Sequence, residues 1–566
     1  MKRRWREIIW PSKPQPAMSK RIALGRLTFA AVFALLCFAT IGAKALYLAT
    51  NSDLRSQFSA PKTAKQDRGH ITDRNGKVLA TSVPVKILHA DPQLILDPFE
   101  TAEKLAPLLP KWTEERLLEK FAKKTRYVEL ERRLTPQRHK QILALGLPGI
   151  AVTPTKARLY PHGNEAAHIL GTTNVDGLGI AGVEKQFDDL LAKGQSVALS
   201  IDVGVQAIVR HEIQKQIDRF EAIGGAGLVL DIKTGELLAL ASLPDFNPNH
   251  FATATDDARF NRATKGVFEM GSIFKVLNTA VALESGASEL GERYQVSKPL
   301  KVASFTIKDF HPYDRPLSIS EILVYSSNIG SARMAEAIGP KVQKAYMERL
   351  GLLDRLSLEL PETGRPLLPR HWERIAAMTI SYGHGMSVTP VHASAAIAAA
   401  AGDGIYRAPT LLRRDPLTMP VETQIFSKDT AKAVRSMMRL VVSHKDGTGN
   451  FAEAPGYLVG GKTGTAEKIE NGRYNKKKNM VSFVGAFPVH DPAYLIFVMV
   501  DEPKGQKFSY GYATAGWVAA PAIRQIVEQI APKLGVLPVD ESAPEIRQNL
   551  LPNIKIGKED PKNAAL

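Results

Sequence analysis

A serine and a lysine three residues apart at the start of an apolar helix can serve as nucleophile and base in acyl transfer, and Ser272 and Lys275 stand in that relation. The run from Ser272 to Leu283 (SIFKVLNTAVAL) is apolar at Ile273, Phe274, Val276, Leu277, Ala280, Val281 and Leu283, with Gly286 as a stop. It reads as a buried helix with an exposed start. In its first turn, free backbone N–H groups and the positive end of the helix dipole favour an alkoxide on Ser272. Lys275 projects from the same face, and an apolar setting loosens its proton enough for the amine to act as a base. Ser-x-x-Lys alone is weak evidence, because two fixed positions recur by chance about once or twice in a chain of this length. Ser59 and Lys62 match it too, but Pro61 lies inside that copy and a membrane segment precedes it, so it cannot form the same helix.

Two further short motifs decide the matter. Lys-Thr-Gly occurs twice, first at Lys233-Thr234-Gly235, the tip of an expected hairpin between strands at 226–231 and 236–242. The second copy, Lys462-Thr463-Gly464, follows YLVGG and runs into Thr465-Ala466-Glu467-Lys468, a small-residue strand along which a ligand can lie. The second copy is the functional one on this reading, and the first is a turn. Between nucleophile and strand lies Ser326-Ser327-Asn328, where the helical run SEILVYSSN opens into IGSARMAEAIG. Ser326 and Asn328 can therefore face a cleft from a helix junction. Three short matches in one order, each on a suitable element, are far more specific than any one of them.

The rest of the chain must position these residues. Its 566 residues leave room for two or three domains, and 44% apolar content is ordinary for a globular chain. A net charge of +17 would admit a nucleic-acid partner, but residues 1–26 carry eight Lys and Arg against Glu7 alone and the remainder is spread thinly. That distribution fits a membrane-proximal tail, with no nucleic acid bound. The single Cys37 excludes an intrachain disulfide and multi-cysteine metal sites, and HExxH is absent, so neither a metal nor another cofactor is expected. The apolar run LTFAAVFALLCFATIGA, completed by Ala45 to Leu48, predicts one transmembrane helix over 27–48. The basic residues before it put the N-terminus in the cytoplasm and everything after about Ala49 outside the inner membrane. Ala43-Lys44-Ala45 resembles a signal-peptide cleavage site, but the basic and apolar regions are both longer than a signal peptide's.

Beyond the anchor, the stretch from Asp67 to Ala80 predicts two short strands joined by an Asn75-Gly76 turn, and residues 97–147 read as helical. Gly177-Leu178-Gly179-Ile180-Ala181-Gly182 matches a dinucleotide-binding pattern, but HILGTTNVD before it is too short and polar for a buried parallel strand, so the glycines shape a loop. A strand at 196–201 precedes a helix at about 205–220. His384 and His392 invite a Ser-His reading, which the absence of a GxSxG elbow around Ser272 opposes. Thr389-Pro390 caps an alanine-rich helix ending at Gly402, and residues 539–566 read as a polar tail.

With the three motifs, the segments RGHITDRNGKVLA, RLYPHGNEAAHILGTTNVDGLGIAGVE, NRATKGVFEMGSIFK, SYGHGMSVTP, GTGNFA and GGKTGT give the chain a resemblance to class B penicillin-binding proteins over almost its whole length. The wording of the first segment resembles the division-specific (FtsI-type) enzymes more than the elongation-specific ones. Met270 stands where the family usually has Pro and Ile273 where it has Thr; both lie beside the chemistry. The resemblance implies a multidomain α+β fold. Its parts would be a basic cytoplasmic tail (1–26), the transmembrane anchor (27–48), an extended β-rich pedestal of the dimerisation type (49–195) and a penicillin-binding transpeptidase domain (196–538), followed by the tail (539–566). The transpeptidase domain is expected to hold a central antiparallel sheet with flanking helices, as in serine β-lactamases.

The resemblance also implies the reaction. Ser272 would attack the penultimate D-Ala carbonyl of a stem peptide, with Lys275 taking its proton, Ser326, between Lys275 and Lys462, relaying a proton to the departing amine, and terminal D-Ala leaving. Which lysine is the base stays open. The backbone N–H groups of Ser272 and Thr465 would hold the oxyanion. Lys462, Thr463 and Thr465, with Gly464 between them, would bind the terminal carboxylate, and Asn328 the peptide amide. A neighbouring stem's amine would then resolve the acyl-enzyme, and β-lactams would trap it. Implied partners are peptidoglycan stem peptides on a lipid-linked precursor or nascent glycan, the inner membrane, an FtsW-type membrane glycosyltransferase and other division proteins. The alternatives are an elongation-specific transpeptidase and a non-catalytic division scaffold, the latter opposed by the intact motif set. A β-lactamase would need a carboxylate base for water that no local pattern nominates. A penicillin sensor would need more than 26 residues before the membrane.

Overall fold

The computed structural model describes residues 18–50, 67–302, 305–415, 422–470 and 473–550. The Ser59–Lys62 match and the residues from 551 onward lie outside the described residues. Met18–Thr50 is one helix, and its stretch Leu24–Tyr47 is apolar and 24 residues long. At about 1.5 Å per residue that exceeds the roughly 30 Å of a bilayer's hydrocarbon core.

From Asp67 the described residues form a second compact unit. It begins with a sheet built on the strand Val78–Ala90, which pairs antiparallel with Ile71–Thr72, Val128–Leu134 and Ile150–Leu159. Ile71–Thr72 also pairs in parallel with Val197–Ala198, so the first strand after the anchor is stitched to the start of the catalytic region. The Asn75-Gly76 turn forms as expected, with Gly76 at φ +80. One expectation fails. Residues 97–147 are helical at Pro98–Leu105, Glu114–Phe121 and Pro136–Ala144, but Val128–Leu134 is a strand. Val128, Leu130 and Leu134 bury one face at period two against Val78–Ala90, and this burial outweighs the helical look of a charged run. The strand expected at 196–201 is only Val197–Ala198.

The glycine-rich loop is a packing device. A Cβ on Gly179 would lie 2.0 Å from the Glu184 carbonyl oxygen, and the buried Glu184 carboxylate accepts from Arg68 Nε at 2.7 Å and Arg158 Nε at 2.6 Å. Glycine there lets the loop close on a carboxylate that both guanidinium groups share. A buried charge of this kind is tolerated because it is paired and hydrogen-bonded.

The catalytic region is built on a five-stranded antiparallel sheet in the order Gly460–Glu470, Arg473–Phe487, Tyr494–Asp501, Gly224–Asp231, Leu237–Leu243. Alternate residues divide between two cores. Leu228, Leu230, Val484, Leu495, Phe497 and Met499 join the helices Phe274–Glu284, Pro390–Ala401 and Lys428–Ser443. Val229, Val481, Phe483, Ile496 and Val498 join the helices Val203–Arg219 and Ala515–Ile530 on the other face. Both faces are covered, so the sheet is dry, and Gly460–Glu470 keeps one edge unpaired among the described residues.

The stretch from Val539 does not behave as a free tail up to Asn549. It forms the helix Pro544–Asn549 with Ile546 buried, and Glu541 accepts from Arg439 at 2.8 Å and 2.7 Å. Arg439 is buried, is also paired with Glu453, and donates to the Val459 carbonyl at the entry to the edge strand. Removing Glu541 leaves Arg439 paired with Glu453 but takes away two of the bonds its guanidinium makes beside the strand. We expect Glu541→Ala to lower the melting temperature by roughly 1–3 °C in differential scanning calorimetry, with penicillin labelling retained.

Candidate active site

The nucleophile turn is wedged between two walls. Gly271–Ile273 forms a tight 3-10 turn that continues as the helix Phe274–Glu284, with Ser272 half-exposed and Lys275 fully buried. Gly271 has φ +57 and donates its N–H to Gly383 O at 3.1 Å; a Cβ on it would meet Thr465 O at 2.6 Å. Gly464 is needed for the same reason, since its Cβ would lie 2.8 Å from Met270 O and 2.9 Å from Ile273 Cγ2. Two glycines thus bring the nucleophile turn onto the edge strand, with Ser272 and Thr465 in neighbouring positions. Met270 and Ile273 are fully buried and act in packing.

The expected residues converge. Lys275 Nζ lies 2.9 Å from Ser272 Oγ, 3.0 Å from Ser326 Oγ, 2.6 Å from Ser326 O and 2.8 Å from Asn328 Oδ1. The Asn328 amide orientation is fixed because its Nδ2 donates to Lys308 O at 3.1 Å. Ser326 O and Asn328 Oδ1 can only accept, so they occupy two N–H bonds of Lys275. A neutral Lys275 then has its lone pair left for a hydroxyl proton, and Ser272 is at the right distance to give one. Lys462 Nζ lies 3.0 Å from Ser326 Oγ and also donates to Thr463 O at 3.1 Å. One hydroxyl therefore stands between both lysines.

Electrostatics favours the neutral amine. Burial, and then the neighbouring Lys462, hold Lys275 well below the usual lysine range, while Asp309 works in the opposite direction. Burial alone brings Lys462 down to about 7. Ser326 sits at φ +59, a left-handed conformation that costs a non-glycine residue about 1–3 kcal/mol and puts its hydroxyl between the lysines. Thr463 Oγ1 donates to Thr448 Oγ1 at 2.9 Å, and Thr465 is exposed on the strand's open edge.

The decoys separate cleanly. Lys233-Thr234-Gly235 is a turn in which Asp231 Oδ1 accepts from the Lys233 and Thr234 N–H groups, and Gly235 is at φ +75. His392 is buried against Thr389 and the Asp354 carbonyl, and burial lowers it to about 4. His384 gives its Nδ1 proton to Glu269 Oε2 at 2.9 Å. The sequence reading gave no role to Thr448, which touches Thr463, to Asp309, which touches Asn328, or to Glu269, which holds His384 and Gly385 beside the nucleophile turn. Thr448 stands in the small-residue run GTGNFA, which hints at close approach, and Glu269 in the segment NRATKGVFEMGSIFK beside the nucleophile; Asp309 carries no periodic or motif signal.

A model of the penicillin binding protein transpeptidase domain matches residues 225–528, and one of the penicillin-binding protein dimerisation domain matches 63–216. The chain is 38% identical over 481 residues to the probable peptidoglycan D,D-transpeptidase FtsI of Caulobacter vibrioides, covering 83% of this chain and 82% of that one. It is 31% identical over 506 residues to peptidoglycan D,D-transpeptidase FtsI of Escherichia coli, covering 83% and 84%. In fold it is similar to the crystal structure of penicillin binding protein 3 from Mycobacterium tuberculosis complexed with aztreonam, with TM-score 0.68, 24% identity, and 84% and 98% of the two chains covered.

The depressed Lys462 has a consequence for stability. Its folded-state value of about 7 lies below the ordinary 10.5, so the folded state binds fewer protons between those values and folding is penalised most at and below pH 7. Lys462→Met fills the same space without a charge. It should raise the melting temperature at pH 7, the gain shrinking towards pH 10, while penicillin labelling is lost. Thermal unfolding of both proteins across that pH range checks the sign.

Proposed function

The chain belongs to the penicillin-binding protein transpeptidases, and from that premise we propose that it cross-links peptidoglycan stem peptides through a Ser272 acyl-enzyme during septal wall synthesis. The observation that carries this reading is the 2.9 Å approach of Lys275 Nζ to Ser272 Oγ, with two other bonds of that amine already committed to acceptors. An amide made outside a membrane, where no nucleotide drives it, must be exchanged for an existing one. A stem ending in D-Ala-D-Ala provides that bond.

The geometry supports the following steps. Ser272 Oγ forms a bond to the penultimate D-Ala carbonyl carbon as its proton passes to Lys275. The oxyanion is received by the N–H groups of Ser272 and Thr465; one such donor is worth about 3–4 kcal/mol. The C–N bond then breaks, and the terminal D-Ala amine takes a proton from the Ser326 hydroxyl, which Lys275 or Lys462 replenishes. Positioned transfer of this kind contributes roughly 10²–10⁴ in rate. The donor peptide lies along the open edge of Gly460–Glu470, with its carboxylate at Lys462, Thr463 and Thr465, Gly464 allowing close approach, and its amide at Asn328. A second stem's amine attacks the ester carbonyl and releases Ser272. A β-lactam enters the same way and remains attached, as aztreonam binding by a protein of this fold supports.

The basic residues ahead of the apolar helix favour a cytoplasmic N-terminus and a catalytic region beyond the inner membrane, with the division into a pedestal at 49–195 and a transpeptidase domain at 196–538. In that setting the anchor and pedestal are suited to an FtsW-type glycosyltransferase and other division proteins, whose lipid-linked product is the donor. Gel labelling of the detergent-solubilised chain with fluorescent penicillin tests the assignment. A covalent band should persist for many minutes, survive Ser59→Ala and vanish in Ser272→Ala. No band in folded wild type would overturn the reading.

A further inference from the structure

Asn328 and Ser326 are held by a loop that lies outside all three motifs. Asp309 follows the short strand Phe305–Ile307, and its carboxylate reaches the start of the helix Asn328–Ile338. Oδ1 accepts from Asn328 N at 2.5 Å and Ile329 N at 2.9 Å, and Oδ2 accepts from Ser327 Oγ at 2.7 Å. Ser327 Oγ in turn accepts from Gly330 N at 3.0 Å. The first three amides of that helix are thus satisfied, two of them by a carboxylate from a separate loop, at the end of the helix dipole that favours negative charge. The preceding residue completes the grip, since Lys308 O fixes the Asn328 side chain that faces Lys275.

We propose that Asp309 is a positioning residue of the acylation centre: it holds Asn328 and the Ser326 turn against Lys275 and sets an anion opposite the two buried lysines. The inference rests on the reading of Ser272 and Lys275 given above. The charged groups that bear on Lys275 are Lys462 from the edge strand and Asp309 from this loop, acting in opposite senses. On the loop side, Tyr313 is pushed up to about 12 by burial and then by Asp309, so it stays neutral and adds no charge near pH 7. Asp309 therefore has two separable roles, one of geometry and one of charge.

Two substitutions separate them. Asp309→Asn can keep the cap, with its oxygen accepting from the two amides and its NH₂ turned to Ser327 Oγ, while removing the charge. Asp309→Ala removes both. The measurement is the second-order rate of acylation by fluorescent penicillin from pH 5 to pH 9, on the full chain in detergent, normalised to the sites labelled at completion. Without the anion the neutral form of Lys275 is easier to reach, so the acid limb of the Asp309→Asn profile should move to lower pH by about one unit. In Asp309→Ala the plateau should also fall, by about tenfold or more. A purely structural role would lower the plateau and leave the limb in place. An unmoved limb in Asp309→Asn with wild type labelled at Ser272 overturns the proposal, and that profile decides alone if Asp309→Ala does not fold. Absence of labelling in wild type overturns the Ser272 reading and this inference with it.

Discussion

Lys275 and Lys462 both stand 3.0 Å from Ser326 Oγ, and neither reaches solvent. Two full charges that close in a dry interior repel strongly, and each also loses its hydration on burial. The pair therefore titrates as a unit and gives up a proton far more readily than two exposed lysines would. A neutral amine beside Ser272 follows directly. Much of the surrounding structure serves to keep this so: a sheet covered on both faces, a nucleophile helix buried from Phe274 to Ala282, and carbonyl acceptors in place of water.

The same economy explains the tight backbone. Ser272 lies on a helix, Ser326 at a helix junction and Lys462 on an edge strand, so three elements must meet within hydrogen-bond distance of one another. Bulk at their contacts would hold them apart. Gly271 and Gly464 remove it, and Gly383 is equally constrained, since its Cβ would lie 2.0 Å from Gly271 O. Ser326 accepts a left-handed backbone to place its hydroxyl. Strain of this order is affordable where neighbouring helices fix both ends of the turn, as Ile319–Val324 and Asn328–Ile338 do here.

Much of this was legible in the sequence because its signals are local. The apolar stripe after Ser272 gave the helix, the small residues around Lys462 gave the strand, and the order of the three motifs gave the site. Tertiary pairings were not legible. Val128–Leu134 reads as a charged helix until Val78–Ala90 lies beside it, and Val539–Asn549 reads as a tail until Arg439 needs a second carboxylate. Asp309 was invisible for the same reason. A lone aspartate between two short strands has no period, and its partners are 18 to 20 residues away in sequence.

The fate of an acyl-enzyme depends on what could activate water near it. Glu269 is the carboxylate nearest Ser272 in sequence, and its oxygens are engaged: Oε1 accepts from Gly385 N at 2.7 Å and Tyr474 OH at 3.1 Å, and Oε2 from His384 Nδ1 at 2.9 Å. His384 is thereby oriented by Glu269 and not by the nucleophile. Asp309 has both oxygens committed to the helix cap. Neither carboxylate is placed to serve as a base for water, a requirement of efficient hydrolysis. An amine acceptor needs less help: it is the better nucleophile, and its proton can pass to the group that received the first one. The same hydrogen bonds that hold the site together keep both carboxylates from activating water, so acyl transfer from Ser272 to an amine is favoured over hydrolysis.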